Sequence, residues 1–123
     1  MEKLNWSKYQ EDAARTLAIL ETPMMDQIHM VTGMSTEVGE IQDAYKKNFA
    51  YGKPLDETNV KEEIGDLMWY VANLCRMKGW DMNSILDTNI AKLKARFPKK
   101  FTQEDAENRN LNAERVILES NNN

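Results

Sequence analysis

Apolar side chains recur every three or four residues through most of this chain, and nowhere do they alternate for long. Ile28, Val31, Val38, Ile41 and Tyr45 follow one another at that spacing, and so do Val60, Ile64, Leu67, Met68, Val71 and Leu74. Such a period lines up side chains along one stripe of a helix, whereas a half-buried strand needs a period of two. Glycine and proline are scarce, at five and three residues. Met, Leu, Ala, Glu and Lys dominate the rest, and helices accept all of them readily. The pattern predicts an all-α fold, a compact bundle of about four to five helices in which both stripes are buried.

Breaking and capping residues place the helices. The first is expected from about Trp6 to Leu20, with Asn5 or Ser7 as its cap and Thr22-Pro23 as its stop. The second is expected from about Met24 to Lys47. It contains Gly33 and Gly39, each costing about 1 kcal/mol against alanine, and small residues there let a neighbouring helix or a ligand come close. Tyr51-Gly52-Lys53-Pro54 ends the pattern. Asp56 or Thr58 then caps a third helix from about Glu57 to Lys78, which Gly79 closes. Asp81 or Asn83 opens a fourth, reaching Arg96 or Phe97 before Pro98. Thr102, with Asp105 three residues on, starts a fifth whose contacts are Leu111, Val116, Ile117 and Leu118. There is no internal repeat and no dividing linker, so residues 1–119 read as a single domain and 120–123 as a frayed polar tail.

Composition excludes several classes. The 123 residues are one domain's worth, and 41% hydrophobic with 29% charged residues is the balance of a soluble globular protein. The net charge is −4. The basic residues are local, at Lys46-Lys47 and between Lys92 and Lys100, which speaks against a nucleic-acid polymer as partner. No stretch approaches the roughly 18 apolar residues of a membrane span. The start, Met1 to Trp6, lacks an apolar signal region. Cys75 is the single cysteine; it reads as a small core residue of a cytoplasmic protein.

Two short acidic motifs carry the chemistry. Glu37-Val38-Gly39-Glu40 lies in the second helix and Glu63-Ile64-Gly65-Asp66 in the third. Acids at i and i+3 project from one side of a helix. The stretch between Glu40 and Glu63 suffices to finish one helix, turn, and bring the next back antiparallel. Four carboxylates then meet between facing helices. Two like charges about 5 Å apart repel by roughly 3 kcal/mol at an effective dielectric of 20, so six such pairs cost on the order of 10 kcal/mol. Protons or cations must offset this. Oxygen donors alone select hard ions, Mg²⁺ or Mn²⁺. A di-iron bundle needs Glu-x-x-His motifs, and the sole histidine, His29, is not part of one.

These residues have a counterpart in a known family. Ser35-Thr36-Glu37-Val38-Gly39-Glu40 followed by Glu62-Glu63-Ile64-Gly65-Asp66-Leu67-Met68-Trp69-Tyr70 resembles the MazG superfamily of all-α nucleotide pyrophosphohydrolases, which includes relatives of the dimeric dUTPases and the dCTP pyrophosphatases. The resemblance runs from about His29 to Phe97, and weakly through Arg109-Asn110-Leu111 and Glu114-Arg115. It implies Mg²⁺-dependent cleavage of a nucleoside triphosphate between the α and β phosphates, with Glu37, Glu40, Glu63 and Asp66 as metal ligands and catalytic residues. One of these acids, or Glu62, would take the proton of the attacking water. Asn89, Lys92 and Arg96 resemble an Asn-x-x-Lys-x-x-x-Arg stretch that approaches the phosphates. Tyr70, Asn73 and His29 lie at whole turns from the acids and are further candidates for substrate contact. The resemblance also implies a homodimer or homotetramer. Two other readings share the same residues: a phosphoribosyl-ATP pyrophosphohydrolase-like enzyme, and a non-enzymatic helical module with solvated acids.

Overall fold

The computed structural model describes residues 5–120. These residues are helical with short connections and contain no strand. Six α-helices follow one another: α1 Trp6–Ala13, α2 Pro23–Tyr51, α3 Glu57–Met77, α4 Met82–Arg96, α5 Gln103–Glu107 and α6 Leu111–Ser120. A 3₁₀ turn, Ala14–Thr16, follows α1. Met1 to Leu4 and residues 121–123 lie outside the described residues, and with them the start of the chain and most of the expected polar tail.

Local chemistry explains the boundaries. The Asn5 side chain accepts from the Lys8 amide and starts α1. The first helix is shorter than expected, because the chain tightens to 3₁₀ after Ala13 and leaves the helix at Leu17. Thr22 caps α2 through the Met25 amide, and Pro23 takes the first helical position, where its missing N–H costs nothing. Thr22-Pro23 thus opens the second helix. At the other end Gly52 adopts φ 67°, a left-handed cap that carries α2 four residues past its expected end. Asp56 caps α3 and Asp81 caps α4. The single expected fifth helix is two. Thr102 caps α5, which ends at Asn108, and the Asn110 side chain accepts from the Ala113 amide as α6 begins.

The chain divides into two compact units, one ending at Trp80 and one beginning at Asp81. In the first, α2 and α3 pack along much of their length and α1 packs on α3. Gly33 lies against Tyr70 while Glu37 meets Glu63, so residue numbers rise on α2 as they fall on α3 and the two helices are antiparallel. Met30, Ala72, Asn73 and Cys75 are buried here. The α2 stripe is not buried as expected. Ile28, Val31, Val38 and Tyr45 are exposed, and the buried positions are Met30, Gly33 and Ala44. On α3 the stripe is half-buried and Ile64 is exposed, while Glu63, Ala72, Asn73 and Cys75 are buried. Small residues let the two backbones approach, and that approach decides the packed face. In the second unit α4 packs on α6, with Glu114 buried between Arg96 and Arg109.

Candidate metal and nucleotide site

Glu37 on α2 and Glu63 with Asp66 on α3 bring three carboxylates together, with one oxygen from each lying within 4.8 Å of the others. Glu63 is buried, Glu37 is half-buried and Asp66 is exposed, so the group opens to solvent on the Asp66 side. Glu40 does not join it. In this antiparallel pair Glu40 stands about 4.5 Å further along α2 than Glu37, in the direction that leads away from Asp66. It is exposed, and its charge acts on Lys47. Lys47 itself pairs with Asp43 at 2.8 Å.

The electrostatics show the strain expected of crowded acids. A hydrogen bond with Glu37 is the chief cause that lifts the Glu63 carboxyl to about 7, with burial and the charges of Glu37 and Asp66 adding to it. Glu63 therefore keeps its proton to far higher pH than an ordinary glutamate. A divalent cation would take the place of that proton with charge to spare. Three carboxylates with no nitrogen or sulfur donor form the set a hard ion prefers, so the residues present fit Mg²⁺ or Mn²⁺.

The remaining candidates take varied places. The Tyr70 ring covers Gly33, where a β-carbon would run into the ring, and it meets the His29 ring edge-on at 6.0 Å. His29 is half-buried, and its Nδ1 is buried without a hydrogen-bond partner among the described residues. Tyr70 lies one turn beyond Asp66 and His29 two turns before Glu37. Asn73 is fully buried. Its Nδ2 donates to the Ala13 carbonyl at 3.4 Å and the Trp69 carbonyl at 3.1 Å, which ties α3 to the end of α1. Trp69 adds to that tie through Nε1, which donates to Thr16 Oγ1 at 2.9 Å.

Asn89, Lys92 and Arg96 stand on α4 in the second unit. Asn89 is exposed and Lys92 half-buried. Arg96 shares Glu114 with Arg109. Each guanidinium donates to both carboxylate oxygens, at 3.4 and 2.7 Å from Arg96 and at 3.2 and 2.8 Å from Arg109. Arg109 foremost, with Arg96, draws the Glu114 carboxyl down to about 2. Sequence reasoning did not single out Arg109 and Glu114 as a pair, although the short Arg-Asn-Leu-x-x-Glu-Arg stretch contains both.

Tyr9 was also not anticipated. Its hydroxyl donates to the Gly65 carbonyl at 3.4 Å, and burial together with the Asp66 charge raises its pKa. The signal was weak: one aromatic on a short helix, more than fifty residues from Glu63 and Asp66.

The family model described as MazG nucleotide pyrophosphohydrolase domain matches residues 26–101. That span holds both acidic motifs and the Asn89, Lys92 and Arg96 positions. No curated protein and no solved structure matches the chain significantly. None of the helices is long and apolar enough to cross a membrane, among the described residues.

Proposed function

Because the chain belongs to the MazG nucleotide pyrophosphohydrolase domain family, we propose that it hydrolyses a nucleoside triphosphate between the α and β phosphates, giving the monophosphate and pyrophosphate with Mg²⁺ as cofactor. The observation that carries this reading is the meeting of Glu37, Glu63 and Asp66 between two antiparallel helices. Their oxygens would hold the ion, and exposed Glu40 would complete the set from the solvent side or through water. A bound Mg²⁺ neutralises triphosphate charge and lowers the pKa of an attacking water. Buried Glu63 fixes the inner end of the site. Exposed Asp66 sets its outer end, where a triphosphate can arrive without displacing the core. Glu62, exposed beside Glu63, and the unshared oxygens of the ligand acids are the groups able to accept the water's proton. Tyr70 and His29 remain the proposed substrate contacts near the acids, and Asn89, Lys92 and Arg96 those of the second unit, whereas Asn73, fully buried and bonded to backbone carbonyls, serves the α3–α1 tie instead. A homodimer or homotetramer and a cytoplasmic location belong to the same proposal.

The test is incubation with a panel of nucleoside triphosphates and Mg²⁺ or Mn²⁺, following pyrophosphate against orthophosphate. Pyrophosphate with the monophosphate supports the reading; stoichiometric orthophosphate with a nucleoside diphosphate contradicts it. Glu63→Gln and Asp66→Asn each remove a ligand charge, and turnover should fall at least a hundredfold while helix content stays unchanged. Near-parent activity in both would remove these acids from the reaction.

A further inference from the structure

Glu114 is a charged residue where a short helix would ordinarily put an apolar one. Helix α6 has ten residues, and Glu114 is the one it buries. Three of its apolar residues stay outside, with Leu111 62%, Val116 67% and Leu118 40% exposed. A helix this short is marginal by itself in water, and most helices are held in place by an apolar face. Here a carboxylate takes that part. It lies between Arg96 of α4 and Arg109 of the α5–α6 connection, and both guanidinium groups grip it through Nε and Nη2. Apolar packing cannot be competed away by a dissolved anion, but a grip of this kind can.

Two guanidinium groups around one oxyanion form a donor set that recognises phosphate as readily as carboxylate. Charge favours the phosphate. Two cations face one carboxylate, so one positive charge is left over, and a phosphate chain with two or more negative charges meets it more fully. The stretch 92–100 that carries Arg96 also holds four lysines and no acid. Part of the site stays in place when the carboxylate leaves, because the Arg96 guanidinium lies over the Phe97 ring at 5.8 Å, a contact independent of Glu114. The Arg96 side chain is largely covered and that of Arg109 is 41% exposed, so an anion has an open side from which to arrive. Arg96, Arg109 and Glu114 belong to one compact unit. The Nε–Nη2 edge of Arg96 cannot hold a phosphate while Glu114 fills it.

We propose that Arg96 and Arg109 form a binding site for a phosphate chain, that of pyrophosphate or of a nucleoside triphosphate, and that Glu114 occupies this site in its absence. An arriving polyphosphate displaces Glu114 and frees α6, and departure of the anion lets α6 return. The part this exchange plays in turnover rests on the pyrophosphohydrolase reading; the site itself does not.

The experiment follows α6 by hydrogen exchange in the full chain at pH 7. Chelator is present, so that no metal recruits the anion to the carboxylates of the first unit. Inorganic pyrophosphate, a nucleoside triphosphate, and sodium chloride at matched ionic strength are compared, since salt alone screens ion pairs. We expect a polyphosphate to quicken exchange across residues 111–120 about fivefold or more while chloride does not. By calorimetric titration, Glu114→Gln should bind pyrophosphate about tenfold more tightly than the parent, because the internal competitor is gone. Arg109→Gln keeps Arg96 as partner for the buried acid, so it retains the fold, and should bind pyrophosphate about tenfold more weakly. Quickening by both anions assigns the site to the phosphate chain from either source; by pyrophosphate alone, to free pyrophosphate; by the triphosphate alone, to the nucleotide. An equal effect of chloride, unchanged α6 exchange, or a pyrophosphate affinity that Glu114→Gln does not raise overturns the site and leaves Glu114 as the brace between α4 and α6. Anion effects without hydrolysis in Mg²⁺ keep the site and overturn the reaction, and hydrolysis without anion effects does the reverse.

Discussion

Single side chains set the α2–α3 contact and make it testable. Gly33 permits the Tyr70 ring to lie on the α2 backbone, so Gly33→Ala places a methyl group inside that ring's space. Overpacking of this kind costs about 1–3 kcal/mol, and urea unfolding should show it as a lower midpoint. Tyr70→Ala in the same chain removes the obstacle, so the double variant should lose less than the sum of the two singles. Additive losses would separate Gly33 from Tyr70. Glu63 gives a pH signature. Its carboxyl is held at about 7 in the folded chain, above its ordinary range, chiefly by the hydrogen bond with Glu37. Its contribution to stability is therefore complete below about pH 4.5 and lost as pH rises through 7. With chelator present, the parent should lose melting temperature between pH 5 and 8, and Glu63→Gln should lose less. Mg²⁺ should restore the parent at pH 8 by binding the folded form. An identical pH slope in parent and variant would show that Glu63 carries no such load. These residues also mark what could be read in advance. The i, i+3 acids were visible because the motif is local. The Gly33–Tyr70 contact was legible only as a small residue awaiting a neighbour, since the helix turn that faces it comes from another part of the chain.

At the level of elements, the α4–α6 pairing hangs on one buried carboxylate. Glu114 is 3% exposed and receives both guanidinium forks. Arg109 and Arg96 hold its carboxyl near 2, below the ordinary range, so its contribution is present above about pH 4.5 and is lost as pH falls toward 2. Glu114→Gln keeps the shape and removes the charge, leaving two guanidinium groups facing each other. Hydrogen exchange should then quicken across α6 at neutral pH, and the acid limb of unfolding should flatten between pH 4.5 and 2. Unchanged α6 protection would show that apolar packing alone holds this helix. Helix type and most starts were legible, because Asp56, Asp81 and Thr102 cap through local bonds, whereas Thr22-Pro23 read as a stop and is the cap and first turn of α2. The break at residues 108–110 was not, since the periodic residues Leu111, Val116, Ile117 and Leu118 suggested one helix continuing from Thr102. Periodicity also could not tell which face of α2 would be covered. The helix has an apolar stripe and a small-residue face, and the small face won because it lets α3 approach.

The uncovered stripe becomes a property of the whole molecule. Ile28 is 56% exposed, Val31 55% and Phe49 80%, and Val38 and Tyr45 are exposed along the same line of α2. A hollow of about 560 Å³ follows that line past Gly39, Tyr45 and Phe49, and α2 alone walls it among the described residues. Scattered apolar residues on a surface need no explanation, but a contiguous row of them along one helix marks a contact surface. The spacing of three and four residues is also that of a seam between packed helices. The proposed homo-oligomer would cover it, and a two-fold contact would set the same stripe of two copies against each other. The parent should therefore sediment as a dimer or larger at micromolar concentration. Val31→Glu and Tyr45→Glu place charges in the seam without asking α2 to change, since glutamate favours a helix. Both should shift sedimentation toward monomer, with far-ultraviolet circular dichroism unchanged. Turnover should fall with association, because a loosened α2 no longer holds Glu37 firmly against Glu63. A fully active parent that sediments as a monomer would leave the stripe without a partner and would confine the site to one chain.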